Sequence, residues 1–272
     1  MARDEAVRDL VDRLELPFNS LGVDPYGVSK KHLTIFFGLL GFLYRRYFRV
    51  KAVGLEHVPP RGRAMLVGNH SGGYAIDGAM VLTSMLLEKD PPRLAQGMVE
   101  KFMNQIPLSS TWTSRTGQLT GLPEHAERLL LDDRLLMVFP EGAKGTAKVF
   151  KDRHSLVDFG TGFVRLALKT KTPIVPLGFV GGGEAVPTIM NSCTLGKLLG
   201  VPYVPITPYG IAAPLPAKLV VHYGKPMVFE GTGGEEDSVI KGYVDQVKAQ
   251  IAALIESARA DRAGEEAREA RS

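Results

Sequence analysis

Hydrophobic residues recur along the chain in two patterns, and the change between them falls near residue 49. Before it, apolar positions at helical spacing predict a helix over Arg3–Leu16, which Pro17 ends. A turn-rich segment follows, and a second helix is predicted over Ser29–Phe48 with Ser29 as its N-cap. We expect residues 1–48 to form an N-terminal helical arm.

Beyond Arg49, short apolar runs alternate with stretches of helical spacing. The runs predict four strands, at Ala64–Gly68, Leu135–Phe139, Ile174–Val180 and Lys218–Tyr223. The stretches between them predict helices at Gly78–Leu87, Pro123–Leu131 and Leu156–Lys169. This alternation is typical of the α/β class, so we expect a mostly buried mixed sheet flanked by helices. Pro176, inside the third run, favours an edge position, a bulge or an early strand end.

A long amphipathic helix is predicted near the end of the chain, from Asp237 to about Arg262, with Asp237 or Ser238 as its cap. The last residues, RAGEEAREARS, are predicted to be flexible. No internal repeat or low-complexity linker interrupts the sequence. We therefore expect one α/β domain over residues 49–262 and a flexible tail over residues 263–272.

The composition is that of an ordinary globular protein. Of the 272 residues, 44% are hydrophobic and 23% are charged, which excludes a disordered or collagen-like chain. The single cysteine, Cys193, excludes an intramolecular disulfide and a Cys-rich zinc site, and the six scattered histidines predict no metal centre. A net charge of +4 favours an anionic partner, such as a phosphorylated ligand or an anionic membrane, and is too small to indicate nucleic acid.

The sequence contains no segment that is typical of secretion or of membrane spanning. The first 16 residues are charged throughout and lack the apolar core of a secretory signal. The most apolar stretch, Leu33–Leu43, has 11 residues, whereas a helix that spans a bilayer needs about 20. We therefore expect a cytoplasmic protein.

The first candidate site is the loop GNHSGGYAID, which follows a predicted strand and leads into a predicted helix. His70 in this loop is a candidate base, and Asp77 is placed to accept its Nδ1–H and leave Nε2 free. The glycines of the loop allow a substrate to approach the backbone closely. The alternative is a plain strand-to-helix turn, with Asp77 as the helix cap and His70 at the surface.

Two further loops follow predicted strands. In VFPEGAKG, Lys144 is a candidate for holding a phosphate, and Glu141 for hydrogen bonding to a substrate hydroxyl or orienting a neighbouring group. The alternative is a glycine turn with solvated charges. The run PIVPLGFVGGGE is a buried strand and a turn, in which the triple glycine is a candidate for lining a cleft.

Taken together in this order, these blocks resemble the phospholipid/glycerol acyltransferase superfamily. The resemblance consists of NH…D, of FPEG with a basic residue two positions further on, and of IVPLGFVGGGE. The flanking stretches VKAVGLEHVPPRGRAMLVGNHSG and FGTGFVRLALKTKTPIVPLGFVGGGE are similar to those of the family. The similarity extends over about residues 49 to 230. Within the superfamily, the sequence most resembles the bacterial branch that is similar to monoacylglycerol and diacylglycerol acyltransferases.

The resemblance implies a role for individual residues. His70 corresponds to the catalytic histidine and Asp77 to the aspartate that orients it. Glu141 and Gly142 correspond to the third block, which helps to bind the acceptor, and Lys144 stands where that block usually has arginine. The other substrate-binding residues predicted are Arg115, for the basic residue of the second block, and Asn69, Gly72 and Gly73 of the first loop.

Two departures from the family pattern affect these expectations. Six residues separate His70 from Asp77, where the family has four, so Asp77 must reach back across a longer loop. Lys144 lacks the bidentate grip that arginine has on phosphate, which leaves the headgroup of the acceptor open.

The activity that the resemblance implies is O-acyl transfer from an acyl thioester to a hydroxyl of a glycerol-based or lysolipid acceptor. The donor is acyl-CoA or acyl-carrier protein as co-substrate, and neither a metal nor another cofactor is expected. The alternatives are a catalytically inactive protein that binds lipids or acyl thioesters, which the longer His–Asp loop favours, and a thioester hydrolase.

The apolar stretch of the arm has basic residues on both sides, Lys30 and Lys31 before it and Arg45, Arg46 and Arg49 after it. This pattern suits a helix that lies in a membrane interface, and it also suits a helix that packs on the core. Because an enzyme of this family takes its substrate from a bilayer, we expect a membrane-facing arm and peripheral association with the inner face of the cell membrane.

Overall fold

A seven-stranded sheet forms the centre of the computed structural model, which describes residues 2–72, 76–99, 109–210 and 213–269. The strands are β1 (Lys51–Val53), β2 (Ala64–Gly68), β3 (Ala95–Val99), β4 (Leu119–Thr120), β5 (Leu135–Val138), β6 (Ile174–Val180), β7 (Met190–Ser192), β8 (Val204–Ile206) and β9 (Val220–Tyr223). Their order in the sheet is β1-β9-β6-β2-β5-β3-β4, and β7 pairs with β8 separately. Among the seven, β6 and β9 are antiparallel and the other neighbours are parallel, which confirms the predicted mixed sheet.

Helices cover both faces of this sheet. They are α1 (Ala2–Asp12), α2 (Lys30–Phe42), α3 (Ile76–Leu87), α4 (Ser109–Arg115), α5 (Pro123–Leu131), α6 (Ala143–Thr146), α7 (Gly162–Thr170), α8 (Gly182–Ala185), α9 (Cys193–Leu199) and α10 (Asp237–Glu269). Side chains of β2 alternate between two hydrophobic clusters: Leu66 joins α1, α2 and α3, whereas Met65 and Val67 join α5, α7 and α10. This alternation follows from the two-residue repeat of a strand that is buried on both faces.

The N-terminal helices are part of the core on one side. Val11 of α1 and Leu33 and Phe37 of α2 belong to the same buried cluster as the sheet. After Phe42 the helix continues as a π-helical turn over Leu43–Tyr47, so the predicted second helix is divided in two. None of the helices in the described ranges is long and apolar enough to span a bilayer.

Pro176 lies in an interior strand of full length, so of the three alternatives predicted for it the edge position and the early strand end are wrong. Its register partner on β2 is Val67, and pairing of β6 with β9 begins one residue later, at Leu177. The carbonyl of Pro176 accepts from the backbone N–H of Gly224 at 2.8 Å, just after β9 has ended at Tyr223. Beyond β9 the same chain pairs again with β6 at Ile174, which exchanges backbone hydrogen bonds with Met227. Two residues on that chain therefore stand opposite Val175 alone, a bulge beside the proline, and β6 keeps its full predicted length.

The C-terminal helix α10 extends beyond its predicted end. In place of a flexible tail from residue 263, the helix continues to Glu269. Ion pairs stabilise this extension. Glu265 contacts Lys51 at 2.9 Å and Lys218 at 2.5 Å, and Arg262 contacts Glu266 at 3.0 Å. The partners on β1 and before β9 are distant in sequence, so the local pattern gave no sign of them.

The tight contact between β6 and α10 gives a test of the fold. A Cβ added at Gly178 would lie 2.6 Å from the backbone nitrogen of Ile255 and 2.6 Å from the carbonyl carbon of Leu254. We expect Gly178→Ala to lower the free energy of unfolding by about 1–3 kcal/mol, since backbone atoms cannot move aside cheaply. Gly242→Ala, at an open and exposed position of α10, is the matched control and raises it by up to about 1 kcal/mol.

Denaturant unfolding of the two variants measures both changes. Equal effects of the two substitutions would contradict the described packing of α10 on β6.

Candidate active site

Three of the predicted blocks meet at one edge of the sheet. His70 follows the end of β2, Glu141 follows β5, and the glycines after Val180 follow β6. These three strands are parallel neighbours, so their carboxyl ends lie side by side. In open α/β sheets this edge is where ligands bind.

His70 and Asp77 are in contact despite the longer loop. The Nδ1 atom of His70 lies 3.1 Å from both carboxylate oxygens of Asp77, the second residue of α3. Asp77 is fully buried, whereas His70 keeps 8% of its surface exposed. A carboxylate that accepts Nδ1–H fixes the tautomer and leaves the lone pair on Nε2, the atom that a general base requires.

Hydrogen bonds keep Asp77 ionised in its buried position. Its carboxylate accepts from the backbone N–H of Ser71 at 2.8 Å and from its neighbour Gly78 at 2.7 Å. Burial by itself would raise the pKa of Asp77, but the charge and hydrogen bond of His70, together with the two backbone N–H groups, hold the pKa below its ordinary value.

The imidazole ring of His70 is also fixed by packing against Phe139 and α6. It stacks on the ring of Phe139, with centroids 4.2 Å apart and planes inclined by 17°. A Cβ added at Gly145 would lie 2.8 Å from the Cβ of His70 and 2.7 Å from the Cβ of Glu141, so α6 packs directly on the histidine. These contacts limit the rotation of the ring and restrict position 145 to glycine.

The backbone of His70 is clamped by a buried ion pair. Lys148 Nζ lies 2.6 Å from Glu141 Oε2 and donates to the carbonyl of His70 at 2.7 Å. The backbone N–H of His70 donates to Glu141 Oε1 at 3.0 Å, and that of Val157 donates to Glu141 Oε2 at 2.9 Å. Burial lowers the pKa of Lys148, and Glu141 opposes this effect in part. Glu141, predicted to bind the acceptor, is thus engaged with groups of the protein itself.

Other residues predicted to bind substrate also have internal roles. The side-chain amide of Asn69 pairs with the backbone of Phe179 through bonds of 3.0 and 2.8 Å, which join the end of β2 to β6. Gly142 has φ 54° and ψ −149°, a conformation that favours glycine. Gly72, with φ 94°, packs on the backbone carbonyl of Lys148.

The two predicted cations differ in their surroundings. Lys144 is exposed on α6, the short helix that covers His70. Arg115 donates through Nη1 to the carbonyl of Gly27 at 3.2 Å and so ties α4 to the loop before α2. The described contacts do not bring Arg115 to His70, and Gly73 lies outside the described residues.

The triple glycine lies beside a charged cluster that the sequence did not reveal. A Cβ added at Gly182 would collide with Ser71 Oγ, and one added at Gly183 would collide with Arg153. The guanidinium of Arg153 contacts Glu184 Oε1 at 3.1 Å, and Arg262 contacts the same oxygen at 2.7 Å. Burial would raise the pKa of Glu184, but the two arginines outweigh it and lower the pKa.

Lys148, Gly145 and this cluster are functional candidates that sequence reasoning missed. Lys148 lies seven residues after Glu141, just beyond α6, and no sequence motif connects the two positions. Gly145 was visible as one of several glycines, and only its approach to His70 distinguishes it.

Comparisons with known proteins agree with this arrangement. The family model described as acyltransferase matches residues 49–180, which include His70, Asp77 and Glu141. A protein of Mycobacterium tuberculosis with uncharacterized function is 34% identical over 243 residues, which cover 86% of this chain and 67% of the relative. A relative from Mycobacterium leprae, also uncharacterized, is 35% identical over 222 residues, or 78% of this chain and 60% of that protein.

A solved structure shares the fold. The 1-acyl-sn-glycerophosphate acyltransferase PlsC from Thermotoga maritima superposes with a TM-score of 0.55, covering 83% of this chain and 81% of that one at 16% identity. The family model lies over the strands and loops that assemble the site, and the structural match extends beyond them on both sides. The chain therefore shares a family with the protein of Mycobacterium tuberculosis, and its residues 49–180 belong to the acyltransferase family.

Proposed function

We propose that this protein is an O-acyltransferase that moves a fatty acyl group from acyl-CoA or acyl-carrier protein to a hydroxyl of a glycerol-based or lysolipid acceptor. The observation that carries the proposal is the contact of His70 Nδ1 with Asp77 at 3.1 Å. The alternative of an inactive binding protein rested on the longer His–Asp loop, and this contact favours the enzyme over that alternative.

In the proposed reaction His70 acts as general base. Its Nε2 takes the proton of the acceptor hydroxyl while that oxygen attacks the thioester carbonyl, and a C–O bond forms. Asp77 stabilises the imidazolium that results. The tetrahedral intermediate then expels the thiolate, which takes the proton back from Nε2 and leaves as the free thiol. Atoms and charge balance without a covalent acyl-enzyme.

The oxyanion of the intermediate needs a preorganised donor. The backbone N–H of Gly142 already donates to the carbonyl of Phe139 at 3.0 Å, so it is engaged elsewhere. We therefore assign this role to the N–H of Gly72, two residues after the base, where the positive φ orients the backbone differently from an ordinary strand end.

We further propose that Glu141 and Lys148 position His70 rather than bind the acceptor. Their side chains are buried, and their described bonds go to each other, to the backbone of His70 and to Val157. Lys144, exposed on the neighbouring helix, is the cation available for a phosphorylated acceptor.

The outer face of α2 supports association with a membrane. Ile35, Leu39 and Phe42 follow one helical stripe and are exposed by 53%, 64% and 43%. Exposed Lys31 precedes the stripe and exposed Arg45 follows it. An apolar stripe with cationic ends suits an interface of anionic lipid, since the rings and branched chains enter the acyl region while the cations remain at the headgroups.

The role of the dyad can be tested by thiol release from long-chain acyl-CoA in the presence of acceptors. We expect His70→Ala to reduce acceptor-dependent release by about 10²–10⁴-fold, because the hydroxyl loses its proton acceptor. His125→Ala, at an exposed histidine on α5, is the matched control and retains activity. A folded His70→Ala protein with unchanged release would overturn the mechanism, and release that is independent of any acceptor would instead indicate a hydrolase.

The positioning role of Glu141 can be tested by measuring kcat and KM separately. We expect Glu141→Gln to lower kcat by about 10–100-fold with little change in the KM for the acceptor, since the amide loses the charge that pairs with Lys148 and its NH₂ group cannot accept from the backbone N–H of Val157. Lys144→Met is the comparison and raises the KM for a phosphorylated acceptor. If Glu141→Gln raised KM and left kcat unchanged, Glu141 would be an acceptor ligand after all.

Membrane association can be tested by flotation with vesicles of phosphatidylcholine and phosphatidylglycerol. Deletion of residues 1–48 is unsuitable, because it removes Val11 and Phe37 from the core. We expect Ile35→Glu with Leu39→Glu to reduce flotation about tenfold or more, since two apolar side chains are lost from the interface. Leu21→Glu, at a leucine that is 85% exposed outside α2, is the control. Equal flotation of the two variants would refute the assignment of this face.

A further inference from the structure

A cavity lies at the amino ends of the central strands, whereas His70 lies at their carboxyl ends. The cavity has a volume of about 260 Å³ and opens among the segments that lead into β2, β3 and β5. Its lining includes the arginines Arg61, Arg93 and Arg134 and the ring of Tyr26. We propose that this cavity binds a small oxyanion, a phosphate or a carboxylate group, between Arg93 and Arg134.

Strand register brings the two arginines together. Ala95 of β3 pairs with Leu135 of β5, and these strands run parallel. Arg134 directly precedes Leu135, and Arg93 is two residues before Ala95, so both guanidinium groups emerge at the amino ends of adjacent strands. Adjacent strands lie about 4.8 Å apart, and both arginines line the same cavity.

Arg134 has an unused donor. Its Nη2 donates to Asp24 Oδ2 at 2.9 Å, and both residues are buried. Its Nη1 is also buried and has no hydrogen-bond partner within the part of the chain that the structure describes. A buried guanidinium N–H without a partner is costly, and an oxyanion in the adjoining cavity would satisfy it.

Arg93 contributes a charge without a bonded carboxylate. Its two terminal nitrogens donate to the carbonyls of Pro59 at 2.8 Å and Gly62 at 2.7 Å. Burial lowers the pKa of Arg93 to about 10, so the group is still cationic at neutral pH. Neutral carbonyls satisfy its protons but do not neutralise its charge, which an anion would do.

The acidic groups of the cavity are already engaged. Glu15 contacts Arg61 at 2.5 Å and Asp133 contacts Arg63 at 2.8 Å. Asp132 accepts from the hydroxyl of Tyr26 at 2.5 Å. Glu15 and Asp133 are thus neutralised by arginines, whereas Arg93 and Asp132 have neutral hydrogen-bond partners only within the described residues.

The cavity is separate from the catalytic edge. His70 follows the carboxyl end of β2, whereas Arg61 and Gly62 precede its amino end. The five residues of β2 span about 17 Å, so an anion bound here would not compete with an acceptor at His70.

The test is the midpoint of thermal unfolding in sodium phosphate and in sodium acetate, each compared with sodium chloride at the same ionic strength. We expect a saturable rise in Tm with phosphate, acetate or both, since each anion presents the geometry that a guanidinium binds. No saturable rise with either anion would overturn the proposal.

Variants assign the response to this cavity. Arg134→Lys retains a cation for Asp24 but has no second guanidinium nitrogen to bind the anion, so we expect its apparent anion affinity to fall at least about tenfold. Pro60→Glu places a carboxylate at the exposed rim without touching the buried pair and should weaken binding in a protein of normal stability. Lys144→Met, at the catalytic edge, should leave the response unchanged. If Lys144→Met abolished it, or if both cavity variants retained it, the anion would bind elsewhere.

Discussion

The ion pair between Glu141 and Lys148 is the interaction on which the geometry of the active site depends. Removing two charges from water is expensive, and a contact of 2.6 Å offsets that cost only when the remaining donors and acceptors are satisfied. In this pair they are satisfied, because the N–H groups of His70 and Val157 donate to Glu141 and the carbonyl of His70 accepts from Lys148. The pair therefore joins the loop after β2 to the loop after β5 and fixes where the histidine stands. The ion pair contributes more to the placement of His70 than to the stability of the fold.

Elements were predictable from sequence where one local pattern determined them. The bounds of β2, β6 and α5 match the prediction, because continuous apolar runs form the two central strands and a proline opens the helix. The three-residue β1 and the sequence AQGMV of β3 carry no comparable signal and were missed. The sequence left three alternatives for Pro176, of which the structure shows the bulge, and it ended α10 too early, for another reason. Both depend on partners that are distant in sequence.

The same distinction applies to the site. The contact of His70 with Asp77 was predictable because both residues stand in one recognisable block. For Glu141 the sequence left two roles open, bonding a substrate hydroxyl or orienting a neighbouring group, because a sequence shows that a carboxylate is present and not which donors surround it. Lys148 supplies one of those donors and gave no local signal. Asn69 and Arg115 were singled out for their chemistry, and their polar atoms bond the backbone of Phe179 and Gly27 instead.

Asp24 connects the arginine-lined cavity to the turn before α2. This buried carboxylate pairs with Arg134 in the cavity wall, and it also accepts from the backbone N–H groups of Tyr26 at 2.9 Å and Val28 at 2.8 Å. Those bonds shape the turn that leads into α2, the helix whose outer face we assign to the membrane. An anion held by Arg134 would restrict the motion of that side chain and, through Asp24, of the turn. An anion in the cavity would thus affect how firmly α2 is oriented, with no contact to His70 or Asp77.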